Sequence, residues 1–189
     1  MVLIYPLKGL SDRRHPSSPS ATPRQGKAQR HKGRRKKKMI RKAKLHDVDA
    51  IYSLLQHYAV KGELLPRPLS ALYDHVRSFS VFVNEGKNLI VGCCALQFCW
   101  EDLAEIRSLA VHPDYQGKKI GSELTKTVLS EAKDFDTKKI FTLTYKPDFF
   151  RKFGFVQIDR SDLPIKIWAD CITCVKFPDC DEIAMMKSL

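Results

Sequence analysis

The segment spanning residues 109–135 constrains the fold more than any other, because an apolar strand runs through a short loop directly into a helix. Residues 109–111 are apolar, residues 112–119 are mostly polar, and apolar side chains then recur at helical spacing in residues 120–135. The first backbone N–H groups of a helix lack intrahelical partners, and the helix dipole adds partial positive charge. The junction therefore predicts an anion-binding site, and two lysines in the loop favour a pyrophosphate as its ligand.

Two glycines in this junction allow a ligand to approach the backbone closely. They are Gly117 in the loop and Gly121 at the start of the helix. Glycine-bearing turns before helices also occur in dinucleotide-binding folds, as plain helix caps and as surface turns. The loop on its own leaves these alternatives open.

The positive charge of the chain lies almost entirely in its N-terminal segment. Residues 1–38 contain 12 Lys and Arg but one acidic residue, whereas residues 39–189 contain 21 basic and 20 acidic residues. Residues 1–38 have few apolar side chains and are predicted to be a disordered basic tail. Such a tail is compatible with a nucleic-acid-binding module or a transit peptide. An upstream extension before a natural start at Met39 is the favoured alternative, and nucleic acid is not expected as a partner.

Residues 39–189 are long enough for about one ordinary domain with a single core. No run approaches the ~20 apolar residues of a membrane span, so no association with a membrane is expected. The chain has six cysteines, and two of them are adjacent in an apolar strand. This usage indicates a reducing compartment rather than a disulfide framework, and the predicted location is cytoplasmic.

The predicted secondary structure of this domain runs β-α-α-β-β-β-α-β-α-β-β. A strand at residues 40–44 precedes a helix for which Asp47 is the candidate N-cap. A hairpin is predicted within residues 80–98, followed by a strand at residues 103–111 and a buried strand at residues 139–144. This order predicts an α/β (α+β) fold, in which helices flank both faces of a mixed central sheet.

The loop resembles that of the Gcn5-related N-acetyltransferase (GNAT) family, whose members carry Gln/Arg-x-x-Gly-x-Gly/Ala after a Leu-Ala-Val-x-Pro strand. Here the pattern reads Gln116-Gly117-Lys118-Lys119-Ile120-Gly121. Lys119 stands where the family usually has its first motif glycine, and a lysine fits there if the residue is already helical. The resemblance implies acetyl-CoA as co-substrate, bound by Leu109, Ala110, Val111, Gln116, Gly117, Lys118, Lys119, Ile120, Gly121 and Ser122.

Four further segments are similar to N-acetylglutamate synthases. Residues 62–68, 92–96 and 104–113 match the acetyltransferase domain of those enzymes in order and spacing, and residues 166–182 look like their short bacterial form. The resemblance implies transfer of an acetyl group to the α-amino group of L-glutamate, the first step of arginine biosynthesis, and it is compatible with a homodimer. The alternative is an acetyltransferase for another amine, such as glutamine, a protein N-terminus, lysine or a polyamine.

The resemblance also assigns catalytic roles. Glu105 lies in the strand before the loop, where a carboxylate can take a proton from the ammonium of the substrate. Strand alternation predicts that Glu105, Arg107 and Leu109 share one face. Many family members have a tyrosine that gives a proton to the departing CoA thiolate. This chain has Phe150 at that position, so Tyr145 is the predicted substitute. The alternatives are a proton from water, an unassisted departure of the thiolate, and a Tyr145 that only packs against or hydrogen-bonds the pantetheine arm.

L-Glutamate carries two carboxylates, so its site is expected to contain at least two cations. Arg67 matches the loop arginine of the family, and Lys176 lies near where the family supplies another basic residue. Arg107 is a third candidate for binding the substrate.

Three cysteines near the C-terminus raise the question of a metal site. Cys171, Cys174 and Cys180 could hold zinc only with a fourth ligand, such as Asp170, Asp181 or a thiol from another chain. No histidine follows them at the usual spacing. Reduced cysteines that pack a substrate loop are the favoured alternative, and no metal is expected.

Overall fold

A seven-stranded sheet forms the centre of the computed structural model, which describes residues 38–84, 86–164, 167, 171–172, 174 and 176–189. The predicted basic tail up to residue 37 lies outside the described residues. The strands are β1 (Lys38–Lys42), β2 (Phe79–Asn84), β3 (Leu89–Phe98), β4 (Leu103–Val111), β5 (Lys139–Thr144), β6 (Val156–Gln157) and β7 (Ile183–Ser188). The longer helices are α1 (Val48–Ala59), α2 (Leu69–Asp74), α3 (Ile120–Asp134) and α4 (Pro147–Arg151).

The sheet is mixed, as the sequence predicted, and its strand order is β1-β2-β3-β4-β5-β7-β6. β4 and β5 are parallel, and the other neighbouring strands are antiparallel. Within the described residues, pairing between β4 and β5 stops at Glu105↔Phe141, whereas β5 remains paired with β7 as far as Thr144. The second half of β4 therefore faces an opening in the sheet.

Helices cover both faces of the sheet and bury two apolar cores. On one face, α3 contributes Ile120, Leu124, Val128 and Ala132. On the other face, α1 contributes Val48, Ile51, Leu54, Leu55 and Tyr58, and α2 contributes Leu72. These are the positions at which apolar residues recur with helical spacing, so burial of an apolar stripe explains both helices. No helix in the described part of the chain is both long and apolar enough to cross a bilayer.

Asp47 precedes α1 as predicted, but its side chain makes no capping bond to that helix. Its carboxylate accepts hydrogen bonds from both terminal nitrogens of Arg41, at 2.6 and 2.9 Å, and from the backbone nitrogen of Lys44, at 2.7 Å. The Arg41 guanidinium holds the pKa of the Asp47 carboxyl below its usual value. The ion pair therefore takes the place of the predicted cap and ties β1 to the start of α1.

A β-bulge in β4 changes the predicted alternation of side chains. Ser108 has a φ of 54°, and both Ser108 and Leu109 lie opposite Cys94 of β3. The extra residue reverses the alternation, so Leu109 packs with Ile106 against the core formed by α3. The prediction that Leu109 shares a face with Glu105 was therefore wrong.

The backbone at Lys119 also differs from the expectation of a helical residue. Lys119 precedes α3 with a φ of 62° and a ψ of 10°, which is the left-handed region. A side chain in this region costs roughly 1 kcal/mol relative to glycine, which explains why glycine suits this position of the motif.

Candidate active site

A cleft of about 500 Å³ opens where β4 and β5 diverge, and we call it the cofactor cleft. Nine of the ten residues predicted to bind the cofactor line it: Leu109, Ala110, Val111, Gln116, Gly117, Lys119, Ile120, Gly121 and Ser122. Lys118 is not among the lining residues. Its Nζ donates to the backbone oxygen of Asp114 at 2.6 Å and lies 4.7 Å from the centre of the Tyr115 ring.

The end of the cofactor cleft next to α3 fits an anion. Gly117 and Lys119 both have left-handed backbone, with φ values of 71° and 62°, and the first turn of α3 begins immediately afterwards. The first N–H groups of a helix are available as donors, and the helix dipole favours negative charge beside them. Apolar side chains of Leu143, Phe149 and Phe150 line the same cleft. The cleft therefore suits a ligand with a pyrophosphate and a less polar arm, as in acetyl-CoA.

Tyr58 is a site residue that the sequence analysis missed. The Tyr58 hydroxyl donates to the backbone oxygen of Val111 and accepts a hydrogen bond from Gln116 Nε2 at 2.7 Å. Burial raises the pKa of Tyr58, so the hydroxyl remains protonated and keeps this donor. In the sequence Tyr58 is only one apolar position of α1, but in the fold it joins α1, β4 and the loop.

A second, smaller cavity of about 130 Å³ adjoins the cofactor cleft, and we call it the substrate cavity. Its charged lining residues are Arg67, Glu105, Arg107, Arg160 and Glu182. Apolar side chains and three thiols form much of the remaining wall, namely Leu55, Leu64, Leu65, Leu143, Leu163, Ile167, Phe177, Pro178, Cys171, Cys174 and Cys180. The structure thus brings together three of the predicted residues, Glu105, Arg67 and Arg107.

Glu105 and Arg107 form a charged pair on the wall of the substrate cavity. Glu105 is only 8% exposed, and its Oε2 lies 3.5 Å from Arg107 Nη1. The same nitrogen of Arg107 donates to Gln97 Oε1 at 2.5 Å. Both side chains project from β4, which fixes their positions relative to the cofactor cleft.

Glu182 and Arg160 are the other charged residues that the sequence analysis missed. Glu182 is 8% exposed, and burial raises the pKa of its carboxyl above the usual value. The Arg160 guanidinium donates to the backbone oxygen of Glu182. No local signal in the sequence distinguishes these two residues from surface charges, because only packing of distant segments brings them to the cavity wall.

Tyr145 and Lys176 meet at the side of the cofactor cleft. The Tyr145 hydroxyl donates to Asp181 Oδ1 at 3.0 Å, and Lys176 Nζ donates to the same oxygen at 3.3 Å. Burial and Asp181 raise the pKa of Tyr145, although Lys176 opposes them. Tyr145 lines the cofactor cleft, whereas Lys176 is not among the residues that line either cavity. The structure therefore places Lys176 beside Tyr145 rather than beside Arg67.

The three C-terminal cysteines carry free thiols. Burial raises the pKa of the Cys171 thiol, and the neighbouring thiols act in the same direction. Among the described residues, no three His, Cys, Asp or Glu side chains are arranged to hold a metal ion. Asp170, one of the fourth ligands considered, lies outside the described residues.

Known proteins resemble this chain in both sequence and structure. The model of the acetyltransferase (GNAT) family matches residues 48–155. An uncharacterised N-acetyltransferase of Chlorobaculum tepidum is 39% identical over 150 residues, which cover 79% of this chain and 96% of the relative. An amino-acid acetyltransferase of Mycobacterium tuberculosis is 36% identical over 133 residues, which cover 69% of this chain and 75% of the relative.

Among solved structures, N-acetylglutamate synthase from Neisseria gonorrhoeae, complexed with coenzyme A and N-acetyl-glutamate, is similar with a TM-score of 0.73 and 26% identity. The match covers 80% of this chain and 35% of the longer synthase. Acetyl-CoA, the co-substrate of such enzymes, fits the cofactor cleft between β4, the loop and the first turn of α3. The chain therefore belongs to the GNAT family of acetyltransferases.

Proposed function

We propose that this acetyltransferase transfers the acetyl group of acetyl-CoA to the α-amino group of L-glutamate, as in the first step of arginine biosynthesis. The charge of the substrate cavity carries the proposal. Its wall contains three arginines and two glutamates, namely Arg67, Arg107, Arg160, Glu105 and Glu182. L-Glutamate presents two carboxylates and one ammonium group, which is the complementary arrangement.

The size and the apolar wall of the substrate cavity support a free amino acid. A volume of about 130 Å³ suits a small molecule better than a protein segment or a long polyamine. A polyamine would also require an excess of carboxylates, whereas arginines outnumber carboxylates on this wall. Glutamine is the second candidate, because the apolar side chains and thiols also accept a neutral amide.

The relatives support the same class of substrate. The similar Mycobacterium tuberculosis protein is named an amino-acid acetyltransferase, and the similar Neisseria gonorrhoeae synthase was solved with N-acetyl-glutamate. A glutamate-binding role for Arg67 and Arg107 in this chain agrees with both.

The reaction requires the amine to lose a proton before its nitrogen attacks the thioester. The substrate cavity has two buried carboxylates that could accept it, Glu105 and Glu182. Tyr145 lies on the cofactor cleft as a protonated hydroxyl, which supports its proposed role as proton donor to the departing thiolate. Holding amine and thioester together in adjoining cavities is expected to supply most of the rate.

An assay of CoA release from acetyl-CoA tests the proposal. The twenty amino acids, a polyamine and a peptide with a free N-terminus are compared at equal concentration, and the product is identified by mass spectrometry. We expect L-glutamate to be the best substrate, with glutamine behind it. Acetylation of the polyamine or the peptide, with no reaction of any amino acid, would overturn the proposal.

The basic tail offers a competing function that the same assay separates. A variant that lacks residues 1–37 retains all of β1, which begins at Lys38. If the protein is an amino-acid acetyltransferase, this variant should retain full turnover. If the main function is nucleic-acid binding, the removed segment should bind polyanions on its own, and the remaining chain should show no turnover.

A further inference from the structure

The cofactor cleft and the substrate cavity share a boundary, where the acetyl group and the amine would meet. Five residues line both the cofactor cleft and the substrate cavity: Leu64, Arg107, Ser108, Leu143 and Glu182. Glu182 is the only carboxylate among these shared residues in the described part of the chain. Glu105, in contrast, lines the substrate cavity alone.

The position of the amine decides which carboxylate can act on it. The thioester belongs to the cofactor cleft and the amino acid to the substrate cavity, so the attacking nitrogen must lie at their boundary. A general base must be within hydrogen-bond reach of the proton that it removes. Glu182 is the one carboxylate of the described residues that lines both cavities and so lies at this boundary.

We infer that Glu182 is the general base of the acetyl transfer, and that Glu105 positions the ammonium group and Arg107. The inference rests on the proposed function, because it requires a substrate that enters the substrate cavity as an ammonium ion.

The surroundings of Glu182 agree with the role of a base. Burial raises the pKa of its carboxyl, and Asp181 acts in the same direction. Arg160, Lys176 and Arg107 oppose this effect, with Arg160 the strongest of the three. The thiol of Cys180 lies 3.9 Å from Glu182 Oε2, as a weak donor to the carboxylate.

A base works best when its pKa approaches the working pH, so a raised pKa makes the carboxylate a more effective acceptor. Glu105 has a different environment, because the Arg107 guanidinium lies 3.5 Å away and stabilises the charged carboxylate. Glu105, paired with this guanidinium and lining the substrate cavity alone, is placed to orient the ammonium group.

The proton balance of the step is simple. The Glu182 carboxylate takes one proton from the ammonium group and leaves a neutral amine with a free electron pair. The nitrogen attacks the carbonyl carbon of the thioester, the C–N bond forms, and the C–S bond breaks with its electron pair on sulfur. The nitrogen loses its second proton to water as the amide forms. The thiolate takes a proton from Tyr145, which recovers one from water, or directly from water. Glu182 then returns its proton to water.

The test compares Glu182→Gln with Glu105→Gln over a range of pH. For Glu182→Gln we expect turnover to fall by ~10²-fold near neutral pH, the acidic limb of the kcat profile to disappear, and the KM for acetyl-CoA to stay the same. The deficit should narrow as the pH rises, because more of the substrate amine is then already neutral. For Glu105→Gln we expect a higher KM for glutamate and an acidic limb that survives.

Glu101→Gln is the matched control, because Glu101 is exposed and lines neither cavity. Glu182→Gln should not unfold the protein, because glutamine has nearly the same size and shape and its amide can keep a polar contact at this buried position. If that variant nevertheless fails to fold, Glu182→Asp provides the test. It withdraws the carboxylate by one methylene and should lower kcat while the acidic limb remains.

Two results distinguish a failure of the inference about Glu182 from a failure of the proposed function. The inference is wrong if Glu105→Gln loses the acidic limb while Glu182→Gln keeps wild-type turnover, although the proposed function then stands. If Glu182→Gln does not fold, wild-type turnover of Glu182→Asp has the same meaning. If the unmodified enzyme acetylates no amino acid, the proposed function fails before any variant is compared.

Discussion

Two glycines, Gly92 packed against α3 and Gly121 within its first turn, should respond in opposite ways to an added methyl group. A Cβ on Gly92 would lie 2.9 Å from Ile120 Cγ2, 3.0 Å from Leu124 Cδ1 and 3.4 Å from the backbone oxygen of Ala110. All three neighbours are buried, so Gly92 allows the start of α3 to approach the sheet. Overpacking of this kind costs about 1–3 kcal/mol.

The expected cost of Gly92→Ala converts directly into a melting temperature. In a domain of this size, 1 kcal/mol shifts the Tm by roughly 2–4 °C, so the variant should melt roughly 2–12 °C below the wild type. Because Ile120 also lines the cofactor cleft, a displaced α3 should weaken the binding of CoA as well.

Gly121→Ala is the matched comparison, since it adds the same methyl group within the first turn of α3. Its Cβ would lie 3.6 Å from Val111 Cγ2 and 3.7 Å from the ring of Phe149, which are ordinary contacts. Alanine is favoured over glycine in a helix by roughly 0.5–1 kcal/mol, so this variant should be slightly more stable than the wild type. The methyl group enters the cofactor cleft, however, and we expect about a tenfold loss of CoA affinity, or about 1.4 kcal/mol.

Thermal unfolding without ligand and calorimetric titration with CoA separate these effects. The predicted pattern is a less stable Gly92→Ala and a stable Gly121→Ala that binds CoA weakly. An unchanged Tm for Gly92→Ala would show that α3 can move away without cost. A CoA affinity within twofold of the wild type for Gly121→Ala would refute the close approach of the cofactor to this turn.

Three further predictions follow from local contacts. Lys119→Gly should raise the free energy of unfolding by roughly 1 kcal/mol in a denaturant titration by relieving the left-handed backbone, whereas Lys118→Gly, which removes the same charge, should not. Asp47→Asn should lower the free energy of unfolding by about 1.5–3 kcal/mol at pH 7. Since the folded state lowers the pKa of Asp47, the stability that its ion pair contributes is present above pH ~4 and is lost as the pH falls further, so melting curves of variant and wild type should converge in acid. Arg67→Ala should raise the KM for glutamate about 10- to 150-fold in steady-state kinetics and leave that for acetyl-CoA almost unchanged, whereas Arg77→Ala, at an exposed position outside both cavities, should change neither.

The order of the elements and the cofactor loop could be predicted because they depend on local patterns. Alternating or helically spaced apolar residues indicate each strand or helix by short-range geometry. The glycines and lysines of the loop motif indicate anion binding in the same local way. The same patterns identified Glu105 as a candidate site residue, because it lies in the strand before the loop, and the structure places it on the wall of the substrate cavity. Even Lys119 was recognisable as an unusual residue for its position, although its backbone conformation was not.

The reversed alternation of side chains after the bulge in β4 could not be predicted from the sequence, because it depends on how β4 pairs with β3. Simple alternation assigns Leu109 to the face of Glu105, and one extra residue at Ser108 cancels that inference. The side chains from Glu105 to Leu109 contain no signal that predicts a bulge at Ser108. The register of the neighbouring strand decides it.

The amino-acid sequence by itself determined the fold, the family resemblance and the cofactor loop, since these are written in contiguous residues. Only the tertiary structure decided which charges meet in the substrate cavity. Glu182 and Arg160 follow β5 in the chain, yet they line the same cavity as Arg67 and Glu105. Their place on the cavity wall arises from packing between distant segments. The pKa and the partner of a charged group depend on how far that packing removes water from around it.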